Sequence, residues 1–283
     1  MRFSLLTLNL ETWRGSGQTA TLDRIARYAA QENLTCICLQ GCEQQSTSAF
    51  VEESEALRVD NAGYLIQSRL GAYGLKYSMV WGYAHDDRAG LETGSAILTQ
   101  LPILGTCSKY VSEHDDPEDE ASRNVVMVRL AVAPNAVIDA YSVHLGPAEA
   151  GLERQLGALT RFVEETPDML EQLKPPPPKR RGPPRKRVPV EEPPVSTRLI
   201  CIAGDMNEEP GGLVKSLTGG GFLEASATAR EASPETGTRT DGRWTDYVYV
   251  KPALRPQAAR VVLSGPDSPP VSDHYGVVVE FEV

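Results

Sequence analysis

The sequence predicts an α+β fold, because short strand-like runs recur along the chain while only a few stretches have helical periodicity. The strand-like runs are residues 2–10, 35–40, 75–83, 94–100, 104–111, 123–132, 136–144, 198–203, 243–250, 257–263 and 276–283. Helical patterns cover residues 18–31, 46–60 and 148–165. Helices do not follow every strand, so the regular winding of a parallel βαβ protein is not expected.

The first helix and two inner strands have the clearest patterns. Leu22, Ile25, Ala26 and Ala29 form one apolar face of the segment 18–31. The segments 35–40 and 199–203 are continuous apolar runs, which is typical of strands buried on both faces. These two strands are therefore expected in the interior of the sheets.

Composition restricts the class of protein. The 283 residues have 41% hydrophobic content, enough for a large core, and no run of eighteen apolar residues that would span a membrane. The net charge of −10 argues against a protein that binds nucleic acid through overall basicity. We interpret residues 2–10 as the first strand and not as a signal peptide, because the apolar part is short and meets Asn9 early.

The five cysteines are an odd number, and Cys36, Cys38 and Cys201 lie in apolar strand-like runs. Buried thiols in such runs are typical of reduced cysteines, and no pair has the spacing of a zinc site with a histidine partner. We therefore expect a protein of a reducing compartment, the cytoplasm; the basic run at 179–187 leaves a nuclear location open. We also expect the protein to be a monomer.

The segment at about 174–196 interrupts the pattern. It contains four consecutive prolines and the basic run 179–187, and it is expected to be extended and polyproline-like. The residues favour a disordered, solvated insertion over a tether for nucleic acid or another anionic surface. The prediction is one domain over residues 1–283 with this insertion inside it.

Polar side chains follow several of the predicted strands. The apolar run from Leu199 ends in Gly204-Asp205-Met206-Asn207, where a carboxylate and an amide two residues apart leave the strand in the same direction. Asp205 could hold a metal or activate a water, and Asn207 could donate to a phosphate oxygen. Similar groups stand at four other strand ends: Asn9 with Glu11, His144, Asp246, and Asp273 with His274.

The ordered set of motifs resembles the endonuclease/exonuclease/phosphatase superfamily, which has the deoxyribonuclease I-like fold. The resemblance covers nearly the whole chain and rests on Thr7-Leu8-Asn9, Ile37-Cys38-Leu39-Gln40, Gly94-Ser95-Ala96-Ile97-Leu98, Val143-His144-Leu145, Gly204-Asp205-Met206-Asn207, Gly221-Phe222-Leu223-Glu224-Ala225, Asp246-Tyr247-Val248-Tyr249-Val250 and Ser272-Asp273-His274. It implies a four-layer α/β/β/α sandwich of two packed mixed sheets with helices outside. It also implies hydrolysis of phosphate esters with Mg²⁺ or Mn²⁺, the site lying at one edge of the sandwich.

The resemblance assigns a role to each strand-end residue. Asp205 would orient or deprotonate the attacking water, with Asn207 on the phosphate and His144 near the leaving group as general acid or oxyanion donor. Asp246 would pair with His274 and raise its pKa. Asp273 would bind the metal, with Asn9 and Glu11 nearby. Arg123, at the start of a strand, could bind phosphate, although a surface ion pair is the simpler interpretation.

One motif departs from the family. The second strand ends in Leu-Gln-Glu in the family, where the glutamate binds metal, and here the chain has Leu39-Gln40-Gly41-Cys42-Glu43. Glu43 is about 6–7 Å further along an extended strand. It could reach the site if the backbone bends at Gly41, or Glu11 could serve as the ligand. If neither does, the site would bind metal weakly.

The leading interpretation is a divalent-metal-dependent phosphodiesterase or phosphatase acting on nucleic acid, a phospholipid head group or a nucleotide. The alternative is a catalytically weak or inactive member that binds a phosphorylated ligand. A third interpretation is a nucleic-acid scaffold that binds through the basic run 179–187. The loops 83–93 and 113–122 have no signature that identifies a substrate.

Overall fold

The computed structural model describes residues 1–10, 18–87, 90–173, 197–212, 214–232, 236–252, 254–264 and 270–283. The strands are β1 (Arg2–Asn9), β2 (Cys36–Gln40), β3 (Gln44–Gln45), β4 (Ser78–Asp86), β5 (Leu91–Thr99), β6 (Ile103–Tyr110), β7 (Asn124–Ala133), β8 (Ala136–His144), β9 (Thr197–Asp205), β10 (Leu223–Glu224), β11 (Asp246–Lys251), β12 (Ala258–Val262) and β13 (Gly276–Glu282). The helices are α1 (Gln18–Gln31), α2 (Ala62–Ala72), α3 (Leu152–Leu173), α4 (Lys215–Gly219) and α5 (Ala227–Ala232), and a 3-10 helix covers Ala148–Ala150.

The described strands form two mixed sheets, which confirms the predicted α+β class. The first sheet has the order β12-β13-β1-β2-β5-β3, with β4 on the other side of β5. The second has the order β10-β11-β9-β8-β7-β6. Each sheet has one parallel pair, β1 with β2 and β8 with β9, while its other pairs are antiparallel.

Among the described residues, three apolar clusters hold the layers together. One lies between the sheets and joins residues of β1 and β2 to residues of β7, β8 and β9, among them Phe3, Cys38, Val128 and Cys201. A second packs α1 and α2 on the first sheet, and a third packs α3 on the second sheet. The order of layers is therefore helix, sheet, sheet, helix, as the resemblance implies. Burial of these apolar surfaces supplies the main driving force for the packing.

Close approach of β8 and β9 requires a glycine directly before the site. Gly204 has φ +156°, and a Cβ at this position would lie 1.8 Å from the backbone oxygen of Val143. No side chain fits in that space. Gly204 therefore lets the two parallel strands end side by side, with His144 opposite Asp205.

The predicted helix over residues 46–60 is wrong. The chain forms turns there and an isolated bridge between Phe50 and Arg58, whose guanidinium binds Glu92 of β5. The helix begins after Asn61, whose side chain accepts hydrogen bonds from the backbone amides of residues 63 and 64. A tertiary ion pair and a strong N-cap thus decide the local structure here.

The predicted insertion at about 174–196 lies outside the described residues. Of its neighbours, α3 packs in the third apolar cluster and β9 pairs with β8 in the second sheet. Among the described residues, no helix is both long enough and apolar enough to cross a membrane.

We expect that residues 175–194 can be replaced by a flexible Gly/Ser linker with little loss of stability. Proline blocks regular strand pairing, and loop closure changes by only about 0.6 kcal/mol for each doubling of length. The melting temperature of the shortened protein should stay within a few degrees of the parent. A drop of ten degrees or more would show that the segment packs on the sandwich.

Candidate active site

The polar strand ends meet at one edge of the sandwich. The carboxyl ends of β1 and β2 lie side by side, with Asn9 opposite Gln40. The carboxyl ends of β8 and β9 do the same in the second sheet, and Asp246 at the start of β11 lies opposite Asp205. Parallel strands end at the same sheet edge, so this topology gathers side chains that are far apart in sequence.

Asp205 lies at the centre of the group and is fully buried. Its Oδ2 accepts a hydrogen bond from Asn9 Nδ2 at 3.0 Å, across the interface between the sheets. The same oxygen lies 3.6 Å from His274 Nε2 and 3.7 Å from His144 Nε2. Its Oδ1 accepts from the backbone amide of Asn207 at 2.8 Å. One carboxylate therefore connects four of the predicted site residues.

Asp246 and His274 form a buried hydrogen-bonded pair, with His274 Nδ1 2.9 Å from Asp246 Oδ2. Arg239 Nη1 lies 2.7 Å from the other ring nitrogen, Nε2. Because a guanidinium can only donate, Nε2 is the acceptor in this arrangement and Nδ1–H donates to Asp246. The pairing that the sequence predicted is present, and Asp246 fixes the tautomer of the ring.

The buried charges shift the pKa values of this group. Burial and then the charge of Asp246 raise the pKa of Asp205 from 3.8 to about 7. Burial disfavours the charged form of His274, but its hydrogen bond to Asp246 and the negative charges around it raise the pKa above 6.5. Asp205 is thus a carboxylate whose proton affinity suits a base at neutral pH.

His144 and Asn207 lie on the cavity side of Asp205. Burial, followed by the positive charges of Arg123 and His274, holds the pKa of His144 well below 6.5, so the ring is neutral at pH 7. Asn207 has φ +50° and donates its Nδ2 to the backbone oxygen of Leu145 at 2.7 Å. Asparagine tolerates this left-handed conformation, which aims its side chain along the site wall.

A cavity of about 610 Å³ opens over this group. Its walls include Glu43, Arg123, His144, Asn207 and Asp273 from the predicted set. Asn9, Asp205, Asp246 and His274 are fully buried beneath it. Glu11 lies outside the described residues. Every other predicted site residue therefore lies at this one edge.

The backbone bends at Gly41, and the bend brings Glu43 to the cavity. Gly41 has φ +52°, a left-handed conformation, and the chain then pairs again with β5 through Gln44 and Gln45. Glu43 is 7% exposed and, like Gly41, lines the cavity. Of the arrangements that the sequence left open, the structure has the first, a bend at Gly41 that brings the Glu43 carboxylate to the cavity. Binding of a metal by Glu43 stays a prediction.

Arg239 is the main site residue that sequence reasoning missed. Its Nη2 donates to Asp273 Oδ2 at 2.8 Å while its Nη1 contacts His274. No motif marks it. The single available signal was its position in the polar turn Thr238-Arg239-Thr240-Asp241-Gly242-Arg243, just before the strand that carries Asp246.

The two loops without a signature also contribute to the cavity. His85 and Asp87 come from the first, and Glu120 comes from the acidic second loop. Burial lowers the pKa of His85, so it is a neutral group in the wall. Arg123 donates its Nη1 to the backbone oxygens of Glu120 and Ser122 and is turned to the cavity by these bonds. The cavity thus has arginines and carboxylates on its walls.

The donor chemistry fits a hard divalent cation. One ligand atom each of Asp205, Asp246 and His274 lies within 4.8 Å of the other two. Among the described residues, this is the group of acidic and histidine side chains that is compact enough to hold a metal ion. Asp246 and His274 already bind each other, and Asp246 Oδ1 is buried without a hydrogen-bond partner in the described structure. Toward the cavity, Glu43 and Asp273 offer further carboxylate oxygens, which Mg²⁺ and Mn²⁺ prefer.

Comparisons agree with the fold. The model of the Endonuclease/Exonuclease/phosphatase family matches residues 12–274. A search of curated proteins finds no match. An endonuclease/exonuclease/phosphatase family protein from Leptotrichia buccalis is 17% identical with a TM-score of 0.78, over 99% of this chain and 100% of that chain. An endonuclease/exonuclease/phosphatase from Beutenbergia cavernae is 16% identical with a TM-score of 0.65, over 100% of this chain and 72% of that chain. TDP2 from D. rerio is 12% identical with a TM-score of 0.62, over 100% of this chain and 99% of that chain.

Proposed function

The chain belongs to the endonuclease/exonuclease/phosphatase family, and from this membership we propose that it is a divalent-metal-dependent hydrolase of phosphate esters, acting on phosphodiesters. The observation that carries the proposal is the position of Asp205. This buried carboxylate, with its pKa raised to about 7, lies within 4 Å of both histidines at the floor of an open cavity. A base, hydrogen-bond donors and cations around one point are what attack of water on phosphorus requires.

Asp205 is proposed to accept the proton of the attacking water. Asn9 Nδ2 and the backbone amide of Asn207 each hold one of its oxygens, so the carboxylate cannot rotate away from the cavity. Protonation of Asp205 during attack also relieves its repulsion with the buried Asp246. The local energetics thus favour proton transfer to this residue.

His274, His144 and Asn207 are proposed to bind the phosphate oxygens. His274 has Nε2 beside Asp205, where it accepts from Arg239 in this structure. Asp246 stabilises the ring once Nε2 takes up a proton, and Nε2 then donates to the phosphate in place of accepting from Arg239. His144 is neutral, so it suits the role of hydrogen-bond donor to the developing charge better than that of general acid. Arg123 lines the same cavity and would add a positive charge near the phosphate.

Asp273, Glu43 and Asn9 are proposed to hold Mg²⁺ or Mn²⁺, with Glu11 as a further ligand from the sequence motif. Glu43 lies just before β3 and Asp273 lies in the segment before β13, and both line the cavity. When bound, such a cation neutralises charge on the phosphate and leaving-group oxygens. The positions of the four ligands around an ion remain part of the proposal.

The substrate class is proposed from chemistry and from one relative. TDP2 from D. rerio was crystallised with a single-strand DNA product. A single-stranded nucleic acid end is therefore the first substrate to test, ahead of nucleotides and phospholipid head groups. The carboxylates of Asp87 and Glu120 on the cavity wall favour a substrate that presents few phosphates at once.

The second candidate function is binding of a phosphorylated ligand without efficient turnover. Gly41 favours it, because the family's metal-binding glutamate is absent at that position. Purified protein should be titrated with Mg²⁺ and Mn²⁺ in the presence of an aryl phosphodiester, followed by a panel of single-stranded DNA, sphingomyelin, inositol phosphates and nucleotides. Metal-dependent turnover supports the hydrolase. Tight binding of phosphorylated ligands without turnover at any metal concentration supports the binding protein.

Ionisation of Asp205 should be visible in the pH dependence of kcat/KM. Because the base must be ionised, kcat/KM is expected to fall as the pH decreases through about 7, the pKa raised by burial and by Asp246. A bound cation stabilises the carboxylate, so raising the metal concentration should move this limb to lower pH. A rate that is constant between roughly pH 5 and 8 would contradict the role of Asp205 as base.

The described cysteines support a reducing location. All five are free thiols, and four of them are buried. Burial raises the pKa of Cys42 to about 12, so this thiol is unreactive. We propose the cytoplasm as the location, and fractionation of cells expressing the tagged full-length chain would test it.

A further inference from the structure

The guanidinium of Arg239 lies between Asp273 and His274, at the floor of the cavity. It donates to Asp273 Oδ2 at 2.8 Å, and its second nitrogen is 2.7 Å from His274 Nε2. The side chain is 17% exposed and lines the cavity. It therefore contacts both a proposed metal ligand and a proposed phosphate ligand at the same time.

Backbone hydrogen bonds hold Arg239 in this place. Its amide donates to the oxygen of Arg243 at 3.0 Å, which closes the turn that carries it. On either side of it, Thr240 N donates to Asp273 O at 2.8 Å and Tyr275 N donates to Thr238 O at 2.7 Å. The turn is thus fastened to the Asp273–His274 segment, and the arginine is a fixed part of the site.

Arg239 balances part of the negative charge of the carboxylates around it. Asp205 and Asp246 are fully buried and Asp273 is close by, so the floor of the site holds three carboxylates. Carboxylates at such short range repel one another unless a cation is present. Arg239 supplies a permanent positive charge at Asp273. The same charge opposes any second cation that approaches that carboxylate.

We propose that Arg239 is an internal cation that shares Asp273 with the divalent metal and thereby sets the metal affinity of the site. The inference rests on the proposed function, because it takes Asp273 as a metal ligand. Arg239 acts here as a positioning residue. In the metal-free protein it holds Asp273, and the metal must share or displace this ion pair to bind.

Metal binding without substrate tests the proposal. The full chain is titrated with Mn²⁺ alone, and free Mn²⁺ is measured by electron paramagnetic resonance. Arg239→Gln removes the charge and should tighten Mn²⁺ binding about tenfold. The control is Arg243→Gln, which removes an equal charge from the same cavity. Arg243 pairs with Asp241 and not with Asp273, so its loss should change the affinity by about twofold or less.

A second variant distinguishes the loss of charge from a disturbance of the local structure. Arg239→Lys keeps the charge but not the planar fork, so its Mn²⁺ affinity should stay within about threefold of the parent. Unchanged or weaker binding in Arg239→Gln would overturn the proposal, and so would equal tightening in both glutamine variants. Absence of Mn²⁺ binding in both the parent and Arg239→Gln would overturn it too.

The outcome is independent of turnover. If the parent binds Mn²⁺ but hydrolyses no phosphate ester, the proposed function fails while the tightening in Arg239→Gln still supports the role of Arg239. If the parent is an active metal-dependent enzyme and Arg239→Gln does not bind Mn²⁺ more tightly, the role of Arg239 fails alone.

Discussion

Replacement of Asp205 by asparagine is expected to lower kcat roughly 10²–10⁴-fold in the presence of saturating metal. The amide cannot accept a proton from water, although it keeps the size of the side chain and can still accept from the backbone amide of Asn207. His274→Ala should cause a loss of roughly 10² or more, because the phosphate then loses the donor that Asp246 orients. Near-full activity in either folded variant would refute these roles.

Stability provides the control for Asp205→Asn. In the parent, burial and Asp246 raise the folded-state pKa of Asp205 from 3.8 to about 7. A raised pKa means that the folded state binds more protons than the unfolded state. The contribution of Asp205 to the free energy of unfolding therefore falls as the pH rises from about 4 to about 7. Asp205→Asn lacks this loss and should be more stable than the parent at pH 8, by about 1–3 kcal/mol, but not at pH 4. Lower activity with higher stability separates catalysis from folding.

A matched variant distinguishes the site from buried aspartates in general. Asp139 is also fully buried in the second sheet, where Arg129 and Arg198 bind it. Asp139→Asn breaks this charge network, away from the cavity, so it should lower the melting temperature. Turnover per folded molecule should be close to that of the parent. Chemical denaturation and active-site titration of the same preparations measure both quantities.

Glu43→Gln is also expected to be damaging, with turnover lowered about 10²-fold at low Mg²⁺ and partly restored at high Mg²⁺. The substitution keeps the shape of a nearly buried side chain on the cavity wall and removes one carboxylate from a site that already lacks a glutamate at position 41. Turnover measured against Mg²⁺ concentration detects the shift. Glu120→Gln is the control, because it removes a carboxylate from the wall of the same cavity at a position that is not proposed to hold the metal.

Gly41→Glu tests the other arrangement. Gly41 has φ +52°, and a residue with a Cβ in this left-handed conformation would destabilise the folded protein by roughly 1–2 kcal/mol. In addition, Glu43 already supplies a carboxylate to the cavity. The substitution should therefore add little activity in the parent. If Glu43→Gln is silent and Gly41→Glu raises turnover at low Mg²⁺, the metal ligand is absent from the native site. If neither changes the metal dependence, residues 39–43 are not part of the metal site.

Local patterns in the sequence predicted most of the fold. The predicted strand 136–144 matches β8, and the apolar run ending at Asp205 matches the end of β9. A mostly apolar run bounded by polar residues indicates a strand that is buried on both faces, so such strands can be identified without their partners. The helix over 46–60 failed because a distant ion pair, Arg58 with Glu92, outweighs a local pattern.

The sequence by itself also determined which residue types form the site, since Asn9, His144, Asp205, Asp246 and His274 end or begin strands that the pattern identifies. Their order along the chain identified the family. The roles of these residues, the single domain and the insertion at 174–196 remain predictions.

Only the tertiary structure decided how the site is completed. The bend at Gly41 directs Glu43 to the cavity, and a turn from far along the chain places Arg239 between Asp273 and His274. Neither position follows from periodicity, because a left-handed glycine and a side chain in a turn leave no repeating pattern. The shift in the pKa of Asp205 depends on burial and on Asp246, a neighbour in space. Long-range packing sets these distances, and electrostatic energies follow distance in space and not separation in sequence.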